Sequence, residues 1–426
     1  MKKLYFGDAK NLCRRSGVNF ARSFSTAQAI IADVKDRGDS ALFDYAKKFD
    51  YADLQMLEVS DEEIAKATKS IPDETKKAFE SAASNIEKFH SLKLLGRQSV
   101  ETMKGVKCFV ESRGIEKIGI YIPGGTAPLP STVLMLGIPA KIAGCKDVIM
   151  CTPPNSKGEV PNIILFAAQI CGIKRIFKIG GAQAIAAMAY GTKSVPKVYK
   201  IFGPGNSYVT AAKMLVSIDP EGAGIDMPAG PSEVLVIADR YARPEFVASD
   251  LLSQAEHGED SQAVLVCTDD NNAEMIIGEV NRQIKTLKRK EIAMKAIKNS
   301  FALIVEDIEE ALEFANKYAP EHLILNVENP NEYISKIINA GSVFLGQYSC
   351  ESAGDYASGT NHTLPTYGYS KAYSGVSVSS FQKSITFQEI TKQGAKALCP
   401  IVSQMARQEG LDAHEKAMEI RLTTNL

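Results

Sequence analysis

Ile176-Phe177-Lys178-Ile179-Gly180-Gly181-Ala182-Gln183-Ala184-Ile185-Ala186-Ala187-Met188-Ala189-Tyr190 decides the fold of this chain. A strand-length apolar run stops at paired glycines, and a helix-forming segment follows at once. Glycine after a strand lets backbone N–H groups approach an anion closely, and the helix start adds a favourable dipole. The same grammar repeats on both sides. Ile118–Ile122 runs into Pro123-Gly124-Gly125, and Val198–Phe202 runs into Gly203-Pro204-Gly205-Asn206. Val148–Cys151, Val234–Ile237, Ala263–Cys267, Leu303–Val305, Leu323–Asn326 and Ser342–Leu345 are further short apolar runs, set apart by helix-sized segments. Strands apolar on both faces and alternating with helices predict an α/β fold with mainly parallel sheets, ligands gathering at the strands' carboxyl ends. No G-x-G-x-x-G and no G-x-x-x-x-G-K-[ST] occurs at these turns. Rossmann-like domains without the usual fingerprint are therefore expected, and the glycines serve either a cofactor or tight turns alone.

Around this centre the N-terminal region reads as helical. Thr26 to Phe49 carries apolar residues at helical spacing, broken at Gly38, and Asp73 to about Lys93 predicts a second helix. Ser60-Asp61-Glu62-Glu63 matches a capping box. After Gly375 the strand pattern fades, and Glu409 to Arg421 reads as a terminal helix carrying Glu409 and His414.

Composition narrows the function classes. At 426 residues, 45% hydrophobic and 23% charged, the chain has the make-up of two or three globular units rather than a disordered or fibrous one. Lys plus Arg (49) nearly equals Asp plus Glu (50), which excludes a global polyanion-binding surface. The basic stretch Arg282, Lys285, Lys288, Arg289, Lys290, Lys295, Lys298 reads as a solvated helix face. No run approaches the ~18 apolar residues of a membrane span, and the polar start predicts a soluble, cytoplasmic protein without nucleic-acid or membrane partners. The 8 cysteines are dispersed without C-x-x-C pairs, as expected of reduced structural thiols.

Of 5 histidines, His257, His322, His362 and His414 stand beside acids, amides or Gly/Pro turns, whereas His90 sits among Phe89, Leu92 and Leu94 and reads as structural. Several histidines in acid-rich turns point to a metal or proton-transfer site, although each alone fits a cap or turn. Gln254 and His257 lie three apart at the end of an apolar helix, a separation that lets two side chains meet one ligand. By ligand chemistry alone His257 would pair with a carboxylate, since zinc takes Cys, His, Asp or Glu. Glu321-His322, at the mouth of the Leu323–Asn326 run, suits a general base in a loop with a carboxylate beside it. Gly354-Asp355 and Gly359-Thr360-Asn361-His362 form a polar turn cluster after Leu345.

Tyr121–Gly125, Gly180–Ala184, Gly203–Asn206, Asp226–Glu233, Ser253–Gly258, Ala319–Leu323 and Ser358–Pro365 stand in the order and wording of histidinol dehydrogenase, which the chain resembles from near Phe20 to its end. The resemblance implies oxidation of L-histidinol through L-histidinaldehyde to L-histidine, the end of histidine biosynthesis, with two NAD and one zinc per site. It implies Gln254, His257 and Asp355 as zinc ligands, with His414 as a fourth from the partner subunit of a homodimer. His322 corresponds to the general base and Glu321 to the activator of water. Ser232, His362 and Glu409 correspond to substrate contacts, alongside the zinc ligands and His322, and Glu409 also crosses between subunits. Tyr121, Gln183 and Asn206 correspond to NAD contacts. The implied organisation is a main α/β domain over 1–120 and 232–375, an inserted NAD-contacting domain over 121–231, and a tail over 376–426 docking on the partner.

Other readings remain open at this level. A relative of the same fold could oxidise another small alcohol, such as sulfopropanediol. A thiolate mechanism through Cys151 lacks a neighbouring cation, and a zinc hydrolase lacks the H-E-x-x-H helix. A binding module gives no reason for a base beside a metal.

Overall fold

Strands without a polar face build both central sheets. The computed structural model describes residues 1–6, 12, 13, 15, 20–92, 94, 96–124, 128–228 and 230–423, so Gly125 and Ala229 of the motifs above lie outside the described residues. In one sheet the strands run, edge to edge, Lys2–Tyr5, Phe301–Ile304, Gln262–Cys267, Glu233–Ala238, His322–Asn326 and Ser342–Leu345, all parallel. The other orders Arg175–Lys178, Asp147–Thr152, Lys117–Tyr121, Lys200–Phe202 and Gly224–Ile225, again parallel. Every apolar run read as a strand is one, with ends displaced by a residue or two.

Alternation distributes each strand between two cores. Val234 and Val236 face Val247 and Leu251 of the helix Pro244–Ala255, while Leu235 and Ile237 face Leu312 and Phe314 of the helix Ile308–Tyr318. Each such buried aliphatic contributes ~1.5–3 kcal/mol over its exposed state. In the other sheet, Ile118 and Ile120 pack with Met135 and Leu136 of Pro130–Ala143, a helix apolar nearly all round because it is covered on nearly every side.

Local signals in the N-terminal region hold where they are strong. Helices span Phe20–Arg37 and Asp39–Tyr45, parted by Gly38 at φ 56°. Asp73–Ser91 is helical, and Asp61–Ser70 starts with the expected box: the Glu63 N–H donates to Ser60 Oγ (3.2 Å) and the Ser60 N–H to Glu63 Oε2 (2.9 Å). The wholly helical expectation fails elsewhere. Lys2–Tyr5 is an edge strand, and Gln98–Met103 and Val106–Gly114 belong to an antiparallel sheet completed by Gln382–Ile390. That last strand corrects the reading that strands fade after Gly375. Eight of its nine residues are exposed, so it carries no buried run to read. Beyond it, Lys392–Glu409 is a helix capped by Thr391, and Gly410 at φ 71° turns the chain into Asp412–Thr423. Glu409 thus closes one helix rather than opening the last. Among the described residues no helix is long and apolar enough to cross a membrane.

Candidate active site

A cleft of about 410 Å3 lies between the two parallel sheets. Pro123 and Asn206, just beyond carboxyl ends of strands in one sheet, form part of its wall; Ser232, Glu321 and His322, at amino ends in the other, form another. Only the first group obeys the carboxyl-end expectation. His322 is itself the first strand residue, paired in register with Val234 and Ser342, and not a loop residue as read from sequence. Strand pairing fixes its backbone more firmly than a loop would.

Glu321 follows Ala319, which takes a left-handed φ of 55°, and Pro320. Its Oε2 accepts from the Glu233 N–H at 2.8 Å. Glu233 is in turn clamped by Arg15, which donates from Nε (2.8 Å) and Nη2 (2.9 Å), and by the Tyr367 N–H (3.0 Å). A buried bidentate pair of this kind stiffens the floor beneath the acid. Around His322, Nδ1 lies 3.4 Å from Glu233 O, 3.7 Å from Glu321 Oε2 and 3.9 Å from Glu351 Oε1, and Nε2 lies 3.5 Å from Asp355 Oδ1.

Asp355 sits in the short helix Glu351–Tyr356, which corrects its placement in a polar turn, and Glu351 stands one turn before it. Sequence reading missed Glu351, which shares a face of this helix with Asp355 at a spacing of four. His362 reaches the same place from the following loop: its Nδ1 lies 2.8 Å from the Asp355 carbonyl, and Nε2 3.0 Å from Thr132 Oγ1. The carbonyl only accepts, so the geometry assigns the proton to Nδ1 and makes Thr132 the donor to Nε2. Burial also lowers the His362 pKa, which favours the neutral ring.

Gln254 is the next-to-last residue of the helix Pro244–Ala255 and is fully buried, yet neither amide atom has a hydrogen-bond partner. Such an orphan costs ~1–3 kcal/mol unless a ligand completes it. One turn on, the His257 N–H donates to the Gln254 carbonyl at 3.2 Å, holding His257 at the cleft. Donor atoms of His257, Glu351 and Asp355 all fall within 4.8 Å of one another. An imidazole, carboxylates and an unsatisfied amide fit a borderline divalent cation such as zinc.

Burial pushes Glu321 up to about 8 and Glu351 well above the carboxylate range. Burial alone would lower His322, but Glu351, Glu321 and Asp355 outweigh it and raise the ring to about 10. Asp355 is held low despite burial, by its bond to His322 and the neighbouring imidazoles. Burial lowers His257.

The expected NAD contacts lie apart from this cluster. Tyr121 and Gln183 are buried, with the Gly181 N–H donating to Tyr121 Oη at 3.0 Å. Asn206 lines the cleft and caps the helix Ser207–Ile218, accepting from Tyr208 N–H (3.0 Å) and Val209 N–H (3.1 Å). Gly203 has φ 124°, and a Cβ there would stand 2.1 Å from Tyr121 O. No side chain fits that turn. Its amide donates to Asp226 (2.8 Å), and its carbonyl accepts from Lys213 Nζ (2.8 Å), which also pairs with Asp226. Glu409 and His414 are exposed and do not line the cleft of their own chain. A larger cavity of about 630 Å3 at the amino end of the Lys117–Tyr121 sheet is rimmed by Lys117, Lys141, Lys146, Lys174, Arg175 and Lys197, with Asp147 among them.

Two predictions follow from burial near these elements. Cys151 is fully buried and its thiol is pushed far up by burial, so Cys151→Ala is expected to leave turnover within about twofold in a steady-state assay. Asp250, buried on the helix of Gln254, is pushed up to about 7. Its favourable protonated form is fully present below about pH 4 and is lost as pH rises through about 7. Asp250→Asn should therefore stabilise the chain by ~2–4 kcal/mol at pH 8 and hardly at all at pH 4, read from denaturant midpoints.

Comparison with known proteins bears on the chain as a whole. The family model described as histidinol dehydrogenase matches residues 13–422. The histidinol dehydrogenase of Bacteroides thetaiotaomicron is 57% identical over 413 residues, covering 97% of this chain and 96% of that protein. That of Bacteroides fragilis is 57% identical over 399 residues, covering 94% and 93%. A crystal structure of histidinol dehydrogenase from Elizabethkingia anophelis superposes with a TM-score of 0.95 at 52% identity, covering 99% of this chain and 97% of that one. With both the fold and most of the sequence matched from end to end, this chain belongs to the histidinol dehydrogenase family.

Proposed function

We propose that this chain, an oxidoreductase by its family, converts L-histidinol through L-histidinaldehyde to L-histidine in the cytoplasm, using zinc and two NAD. The observation that carries the reading is a buried imidazole, His322, flanked by Glu321 and by Asp355 of the close donor group His257, Glu351 and Asp355, with the buried, unpartnered amide of Gln254 three residues before His257. Zinc, when bound, would be held by Gln254, His257 and Asp355 and would supply a Lewis acid and an anchor for the amino alcohol, and NAD would supply the hydride acceptor.

The chain's own residues do the rest. Ser232 and neutral His362 orient the substrate in the cleft. His322 takes the hydroxyl proton at Nε2 as hydride leaves carbon, which places the base within reach of the reacting group. Water then adds to the aldehyde: Glu321, buried and raised toward neutrality, takes the water's proton while His322 returns the proton it took to the carbonyl oxygen, giving a gem-diol and a neutral imidazole. His322 serves the second oxidation as it did the first. Retention of the aldehyde between steps follows from a cleft walled by both sheets. Tyr121, Gln183 and Asn206 are assigned to NAD, with the Gly203 turn presenting Asn206.

Exposure of Glu409 and His414 on the tail supports a homodimer in which each tail completes the partner's site. The corresponding division is a main domain over 1–120 and 232–375, an NAD-contacting domain over 121–231 and a docking tail over 376–426.

Adding histidinol and NAD to the zinc-loaded protein is expected to yield two reduced nicotinamides per histidinol, read as absorbance. Activity with a sulfonated diol but none with histidinol would overturn the substrate. Mixed His322→Ala and His414→Ala chains should regain activity through one hybrid site; no recovery after verified subunit exchange would overturn sharing.

A further inference from the structure

Lys117, Asp147 and Arg175 are the first residues of three neighbouring parallel strands, and all line the cavity of about 630 Å3 at the end of that sheet opposite the candidate active site. Lys141, in the last turn of the helix Pro130–Ala143, together with Lys146, Lys174 and Lys197 brings the cations lining it to six. Ile149, Cys171, Ile173 and Val198, all buried, give the lining an apolar part. A cavity of this size with apolar walls and convergent charges has the form of a small-molecule site. The chain as a whole is nearly neutral, so such a concentration of one sign calls for a local cause. Part of that cause is structural. The helices Pro130–Ala143 and Asn162–Ile170 end on this side of the sheet, and each carboxyl end carries roughly half a negative charge. Lys146 pairs with Glu116 (3.7 Å) and Arg175 with Glu58 (2.9 Å), and Asp147 adds a third acid. Three carboxylates and two helix ends together answer about four of the six cations, which leaves roughly two positive charges without a counterpart. Lys141 and Lys174 enter no ion pair among the described residues, and Lys197 Nζ donates to the neutral Glu221 carbonyl (2.7 Å).

We propose that this cavity is a binding site for a nucleoside di- or triphosphate, separate from the catalytic cleft, with the phosphates against Lys141 and Lys174 and the base against the apolar lining. A phosphate chain supplies the missing anions without displacing the pairs already made. Lysine ammonium groups on flexible stems suit phosphate oxygens as point charges. An inorganic ion alone would leave the apolar lining facing water, and an uncharged aromatic would leave the lysines unanswered. Because these cations are exposed, salt screens the attraction, over about 8 Å at physiological ionic strength.

The test titrates ADP into the full-length protein by calorimetry at low salt, beside inorganic pyrophosphate and adenosine. ADP is expected to bind at least about fivefold more tightly than pyrophosphate, with adenosine weaker than either, and to weaken several-fold as salt rises from about 50 to about 300 mM. Lys141→Glu/Lys174→Glu should weaken the binding of one ADP per chain at least about tenfold, while turnover of histidinol and KM for NAD stay within about twofold. ADP binding that survives unchanged in this variant, as it would for ADP lodged in the catalytic cleft, would overturn the proposal. So would pyrophosphate binding as tightly as ADP, which leaves the apolar lining without a role. Absence of ADP binding below about 5 mM would overturn it as well, and would mean that the lysines only offset the helix ends. Should the double reversal fail to fold, Lys141→Gln/Lys174→Gln decides by the same readouts.

Discussion

His322→Asn is expected to lower kcat by ~10²–10⁴, with KM for histidinol within a few-fold of wild type, because the shorter amide stays polar but cannot take the hydroxyl proton. The same change should also destabilise the metal-free chain. His322 is raised to about 10 by Glu351, Glu321 and Asp355, overcoming the opposing effect of burial. The stability its cation provides is thus fully present below about pH 6.5 and is lost as pH rises through about 10. At pH 7 the variant leaves those acids facing one another without their cation. Urea denaturation at pH 7 should show the loss, and saturating zinc should restore much of it, since a divalent ion supplies charge at the same place. Retained turnover within tenfold would remove His322 from the reaction.

The second large effect lies at the Gly203 turn. Lys213 and Asp226 form a pair whose side chains are 5% and 1% exposed, and both hold Gly203, one by its carbonyl and one by its amide. Lys213→Met preserves the aliphatic stem but leaves the Asp226 carboxylate buried without its cation. Breaking such a pair from one side costs ~3–5 kcal/mol. Denaturant midpoints should fall accordingly. Because Gly203 leads into Asn206, KM for NAD should rise at least about fivefold while kcat at saturating NAD holds within about twofold. A stability change below about 1 kcal/mol would mean that water replaces the lysine.

How much of this was legible in the sequence depended on burial. The parallel strands announce themselves because both faces are covered, so Val234–Ile237 and Ala263–Cys267 are unbroken apolar runs. Gln382–Ile390 does not, since its faces meet solvent and its pairing with Val106–Gly114 is set from far away in the chain. Of the site, the Glu321-His322 pair and His257 stand out by residue type. Gln254 became a ligand candidate only through resemblance, because an amide is rarely a zinc donor; its orphaned state in the fold supplies the physical reason. Glu351 was invisible for another cause. Nothing in Cys350-Glu351-Ser352 distinguishes a buried acid from an exposed helix start, and only the tertiary approach to His322 does.

The account stands on a divalent ion gathered by distant parts of the chain beside His322. Anomalous diffraction at the zinc edge, on crystals of the zinc-loaded protein, tests this most directly. The predicted result is one strong peak per chain within about 2.0–2.2 Å of Gln254, His257 and Asp355 donor atoms. A peak bound elsewhere, with Gln254 still unpartnered, would contradict it.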